Sequence, residues 1–145
     1  MGIDTINLIK KIQSGKYDST EAKNTDFPPK FTLAEYLGKL LAEKNLDRRE
    51  VIKKSLLKQV PTLHIFEGVT KEPARERVLA LALAMSLNTE ETDKLLIYAN
   101  KSQLYARRNT WESIIFTGLT HGWGVAKTND ALFDAGEEPL LGDIN

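Results

Sequence analysis

The pattern that most restricts this chain is a short helix-start signature that recurs along it. Thr32-Leu33-Ala34-Glu35, Asp47-Arg48-Arg49-Glu50 and Asn88-Thr89-Glu90-Glu91 each place a small oxygen-bearing side chain three residues before a glutamate. In such a capping box the first side chain accepts a hydrogen bond from an orphan amide of the first turn, and the glutamate reaches back. Apolar residues then follow at helical spacing: Leu33, Tyr36, Leu37, Leu40 and Leu41 after the first box, Val51 and Ile52 with Ser55 after the second, Leu95, Leu96 and Ala99 after the third. No run alternates with strand period for long enough to demand a sheet. The expected fold class is all-α, assembled from short helices.

The same rules divide the chain. Residues 32–44 form one helix, stopped near Asn45, and a short second helix begins at Asp47. Leu56-Leu57-Lys58 connects it tightly to a helix over 59–66, where Pro61 is tolerable because it lies in the first turn, and Gly68 ends that helix. Pro73 opens a helix over 73–86, with Val78, Leu79, Leu81, Ala82 and Met85 facing in and Arg75, Glu76 and Arg77 facing out. Further helices are expected over 89–99, over 107–120 through Trp111, Ile114, Ile115, Phe116 and Leu119, and over 125–135 with Val125, Leu132 and Phe133 turned inward. Gly122 and Gly136 are the stops, Gly136 as a left-handed cap. Ahead of them, Ile3, Ile6, Ile9 and Ile12 predict an amphipathic helix over 3–13, and 14–30 reads as a polar linker. The expected organisation is an N-terminal helix and linker over 1–30, a compact core over 31–99, and a helical extension over 100–145 packed on that core.

Composition excludes whole classes of chemistry. The 145 residues suit one domain, and the absence of cysteine removes disulfides, thiol nucleophiles and cysteine-ligated zinc. Two histidines, His64 and His121, are a poor inventory for a metal site, and His121 is expected to serve a helix C-terminus. No serine–histidine–acid motif and no glycine-rich phosphate loop is present, so no catalytic residue, metal or cofactor is expected. The longest apolar run, Val78 to Met85, is far too short to span a bilayer, and Met1-Gly2-Ile3-Asp4 does not begin a secretory signal; a cytoplasmic protein with no membrane partner is the expectation. Twenty basic and twenty acidic residues cancel overall, yet residues 31–80 carry ten basic against seven acidic and residues 81–145 five against nine. From Lys44 to Lys58 the balance reaches +4.

The two helices joined by Leu56-Leu57-Lys58 have the dimensions of a helix-turn-helix. Leu46-Asp47-Arg48-Arg49-Glu50-Val51-Ile52, then Gln59 through Phe66, then Gly68 and Pro73, resemble the Cro/C1-type phage repressor family of helix-turn-helix domains. Leu46, Val51 and Ile65 stand where that family keeps apolar core residues, and Gly68 where its glycine ends the reading helix. Departures are Arg48 for the family's usual glutamine, Ile52 for its small residue, Leu56 for its turn glycine, Thr62 for a buried aliphatic and Phe66 for a polar residue. Ile65-Phe66-Glu67-Gly68, Leu79-Ala80-Leu81-Ala82, Leu104-Tyr105-Ala106-Arg107-Arg108 and Glu138-Pro139-Leu140 are similar to a subgroup of small bacterial regulator-like proteins with an atypical motif and two extra C-terminal helices. The resemblance implies a five-helix repressor-like core followed by a helical pair, and a regulator of transcription that binds double-stranded DNA.

On that reading Gln59 is the leading base-reading candidate, because its amide can pair bidentately with adenine. Val60 and Leu63 can pack on a thymine methyl, and His64 can reach a base or a phosphate. Arg48, Arg49, Lys53, Lys54, Lys58 and Lys71 are the phosphate-contact candidates. Arg107 and Arg108 are expected to pair with the acidic tail around Glu137-Glu138. Trp111, Phe116, Trp123 and Phe133 are assigned first to core packing and second to a homodimer or partner surface. A protein-interaction or adaptor domain on the same scaffold, without DNA binding, remains the alternative.

Overall fold

The computed structural model describes residues 31–105 and 108–140. Among them are seven α-helices and no strand: α1 (Leu33–Glu43), α2 (Arg48–Ser55), α3 (Gln59–Phe66), α4 (Arg75–Ala84), α5 (Thr89–Tyr98), α6 (Thr110–His121) and α7 (Val125–Asp134). The expected helix over 3–13, the linker over 14–30 and Arg107 lie outside the described residues.

The helix starts follow the capping signals. Thr32 and Asn88 both close full capping boxes, with Glu35 and Glu91 returning to the cap amides, while Asp47 accepts from Glu50 N at 3.2 Å. A fourth cap was present in the sequence and unread there: Asn109 accepts from Glu112 N at 2.8 Å and starts α6 at Thr110 instead of near 107. Pro73 precedes α4 rather than opening it, since Ala74 is the cap. Helix ends use the left-handed backbone region, through glycine at Gly68, Gly122 and Gly136 and through a side-chain-bearing residue at Asn45, Leu56, Ser86 and Asn100.

The core is organised around α4. Every residue from Val78 to Met85 is buried, so beyond its polar first turn this helix has no polar face, the mark of a helix enclosed by others. It contacts α2, α5, α6 and α7, while α1 lies against α3 and α5. The inward set expected for this helix was therefore too small, since Ala80, Leu83 and Ala84 are buried as well. Tyr36 stacks on Tyr98 at 4.6 Å between ring centroids, with Phe31 near both at 6.4 Å, which ties the start of α1 to the end of α5.

Two expectations about side-chain direction fail for the same reason. Arg75 does not face solvent. Its guanidinium holds Glu112 of α6 through two bonds, Nη1 to Oε2 at 2.6 Å and Nη2 to Oε1 at 3.1 Å, and donates to the carbonyls of Ser102 and Gln103. Arg77 is half-buried, with its Nη1 enclosed. Conversely Phe133 points outward and is 77 % exposed, and Phe116 lies on the exposed side of α6. Local periodicity places a residue on a face of its own helix. It does not say which neighbour will cover that face.

Past α7 the irregular tail is anchored. Leu140 is buried and its amide donates to Asn129 Oδ1 at 2.7 Å, while Trp111 Nε1 donates to the Glu138 carbonyl at 3.0 Å. Among the described residues Arg108 forms no ion pair with that tail; it lies over the Tyr105 ring at 5.5 Å.

Candidate nucleic-acid interface

α2 and α3 each contain eight residues and meet through Leu56-Leu57-Lys58. The turn is held by Ser55, whose buried Oγ donates to the Ile52 carbonyl at 2.6 Å and accepts from Leu57 N at 3.2 Å. Leu56 occupies the left-handed region at φ 64°, where glycine would carry no steric cost. Its side chain is 53 % exposed.

α3 is buried along one face. Thr62, Ile65 and Phe66 pack inward at spacings of three and one, so a single stripe is covered. Thr62 is polar where the resembled family places an aliphatic, yet its burial is satisfied within the helix, since Oγ1 donates to the Lys58 carbonyl at 2.7 Å. Pro61, third in the helix, lacks only an amide that would have no intrahelical partner. Ile52, in place of a small residue, is buried with Val51 in the face of α2 that packs on α3 and α4.

The other side of α3 carries the predicted reading residues. Gln59, Val60 and His64 are exposed, Val60 at 61 %, and lie within one turn and a half of the helix. Leu63 differs: it is half-buried and packs against the core, so its side chain projects less than those of Gln59 and Val60.

All six phosphate-contact candidates are exposed: Arg48 and Arg49 in the first turn of α2, Lys53 and Lys54 in its last, Lys58 at the cap of α3, and Lys71 beyond its end. Among the described residues none of the six forms an ion pair. Lys53 and Lys54 sit where the helix dipole favours cations, whereas Arg48 and Arg49 sit at the opposite, unfavourable end. Lys58 gives α3 no side-chain cap, unlike the residues that open α1, α2, α5 and α6. The first amides of α3 are therefore not closed off by a side chain from the cap position.

The main packing partners of the C-terminal helices lie elsewhere. α6 and α7 pack on each other, on α4 and, for α6, on α5. His121 ends α6 with Nδ1 3.0 Å from the Thr117 carbonyl and its ring near that of Trp123, a position at a helix C-terminus where a cation is favoured. Among the described residues no cluster of acidic and histidine side chains is placed to hold a metal ion, and no helix is long and apolar enough to cross a membrane.

Comparisons with protein-family models, with curated proteins and with solved structures return no match.

Proposed function

We propose that this protein binds double-stranded DNA as a transcriptional regulator of the helix-turn-helix type, with α2 and α3 as the motif and α3 as the reading helix. On this reading α1 to α5 form the repressor-like core and α6 with α7 the added pair. One observation carries it: a helix buried on one stripe only, with Gln59, Val60 and His64 exposed on the other, beside Arg48, Arg49, Lys53, Lys54 and Lys58, which are solvent-facing and free of ion pairs among the described residues, whereas Lys44 pairs with Glu91. Eight residues make a helix about 12 Å long, comparable to a major groove about 12 Å wide. In this geometry Gln59 reads an adenine, Val60 packs on a thymine methyl, and His64 and Leu63 contact the groove further along. Lys53, Lys54 and Lys58 hold the phosphate backbone, joined by Arg48, Arg49 and Lys71.

The test is a salt series with duplex DNA from a genomic pool. Binding weakens steeply with salt, and Lys53→Ala with Lys54→Ala lowers the log–log slope by about two, since each neutralised phosphate contributes roughly 0.9. Gln59→Ala removes preference worth about 1–3 kcal/mol at one base pair and leaves non-specific affinity nearly intact. Absence of binding to any duplex at low salt refutes the proposal.

A second reading has its own observation. Leu56 and Val60 leave two aliphatic side chains more than half exposed at the turn and the start of α3. A protein partner, or a second copy of the chain, would cover these as readily as a thymine methyl would cover Val60. Under this adaptor reading Val60→Asp abolishes a protein complex without unfolding the domain, and duplex DNA does not bind.

A further inference from the structure

A groove of about 540 Å³ opens where α1 begins, beside the end of α3 and the end of α5. Leu33, Ala34 and Tyr98 supply its apolar carbon, and its charged rim is Glu35, Glu67 and Glu72 against Lys71 alone. The rim is thus negative, by two charges, in a half of the chain that is otherwise basic. Thr32, the cap of α1, is itself part of the lining, so the thirty residues that precede Phe31 enter the described structure at the groove's edge.

We infer that residues 3–12 of the same chain dock in this groove through their isoleucine face. The segment offers the complementary chemistry: Ile3, Ile6, Ile9 and Ile12 recur every third residue, and Lys10 and Lys11 outnumber Asp4. The groove has the size of a small-ligand cleft, so it takes a few aliphatic side chains from one face of a helix while the lysines meet the glutamate rim. Eighteen residues, 13–30, separate the segment from Phe31. A connection of that length reaches at most roughly 60 Å when fully extended, enough for the segment to turn back onto the groove. As an occupant, this basic segment suits the glutamate rim better than the exposed Phe116 or Phe133 of a second copy, which lie in the acidic half of the chain. This docking does not depend on whether the protein binds DNA.

Because the chain lacks cysteine, a nitroxide can be attached at one chosen position of the full-length protein. A label at Thr70→Cys, on the groove, broadens the isoleucine methyl signals of residues 3–12, whereas a label at Asp134→Cys on α7 does not. With Ile6→Asp and Ile9→Asp together the broadening disappears, the helical circular dichroism of the domain persists, and the amides of Gly68, Val69 and Thr70 exchange about tenfold faster. Three results overturn the inference: no broadening from Thr70, stronger broadening from Asp134, or broadening seen only when label and isotope reside on different copies, which assigns the groove to a second chain.

Discussion

Two parts of this molecule treat cationic side chains in opposite ways. At the seam between α4 and α6, Arg75 is largely withdrawn from solvent, with both carboxylate oxygens of Glu112 and two backbone carbonyls around its guanidinium. Along α2 and α3, Arg48, Arg49, Lys53, Lys54 and Lys58 remain exposed with no ion pair among the described residues. A half-buried cation with four of its five N–H donors bonded specifies a tertiary arrangement. An exposed row of cations contributes little to stability and stays available to an anionic surface. The same residue type is thus structural at the α4–α6 seam and a candidate contact along α2 and α3.

The sharpest way to break that contrast is Arg75→Ala. It leaves Glu112 buried without its counter-ion and should cost about 3–5 kcal/mol in denaturant unfolding. Replacing both partners together, Arg75→Met with Glu112→Leu, should recover a large part of that loss, because the penalty lies chiefly in the orphaned charge. Next comes Gly118→Ala in α6. An added Cβ would lie 2.7 Å from Thr128 Oγ1 and 3.2 Å from the Trp123 ring, contacts too close to keep. A net loss of about 1–2 kcal/mol is expected after the gain in helix propensity is subtracted, read as a lowered thermal midpoint.

The α2–α3 turn should respond in the other direction. Leu56→Gly removes the steric cost of a left-handed leucine and should stabilise the domain by about 1 kcal/mol. It also removes an exposed aliphatic, so an adaptor surface that uses Leu56 would weaken while DNA affinity would not. Asp93 supplies a pH handle near the seam: burial raises its pKa above the usual carboxylate value, opposed by the bond from Leu104 N and by Arg75. A raised folded pKa means the folded state holds the proton more tightly than the unfolded one. Its favourable contribution is full below the unfolded value and is lost as pH rises through the folded value. Asp93→Asn keeps an oxygen for Leu104 N and should flatten that segment of the stability–pH curve. The smallest stability effect belongs to Lys53→Ala with Lys54→Ala, expected within about 0.5 kcal/mol. A near-zero change in unfolding joined to a lower salt slope for duplex binding would separate the exposed row from the buried arginine most cleanly.

The candidate interface was legible from the sequence because its determinants are local. The span of α3, 59–66, and the inward set Val51, Ile52 and Ser55 of α2 follow from caps, a tight turn and helical spacing, and the structure has them so. Leu63 was harder, because it lies at the margin between the buried stripe and the open side of its helix, where spacing alone does not decide depth. The Arg75–Glu112 pair was not legible. Asn109 and Glu112 do form a cap pattern, and a carboxylate within Trp111–Leu119 is a mark of a charge with a partner. The partner, however, stands 37 residues away.

By itself the sequence determined the all-α character of the described residues, the starts and stops of most of their helices and the inward faces of α1 and α2. Those outcomes depend on hydrogen bonds and steric limits that act within about four residues. Only the tertiary structure decided that α4 would be enclosed from Val78 on, that Arg75 would turn in and that Phe133 would turn out. Burial is a property of what else packs nearby, and a helix that is apolar all round has no periodicity from which its neighbours can be read.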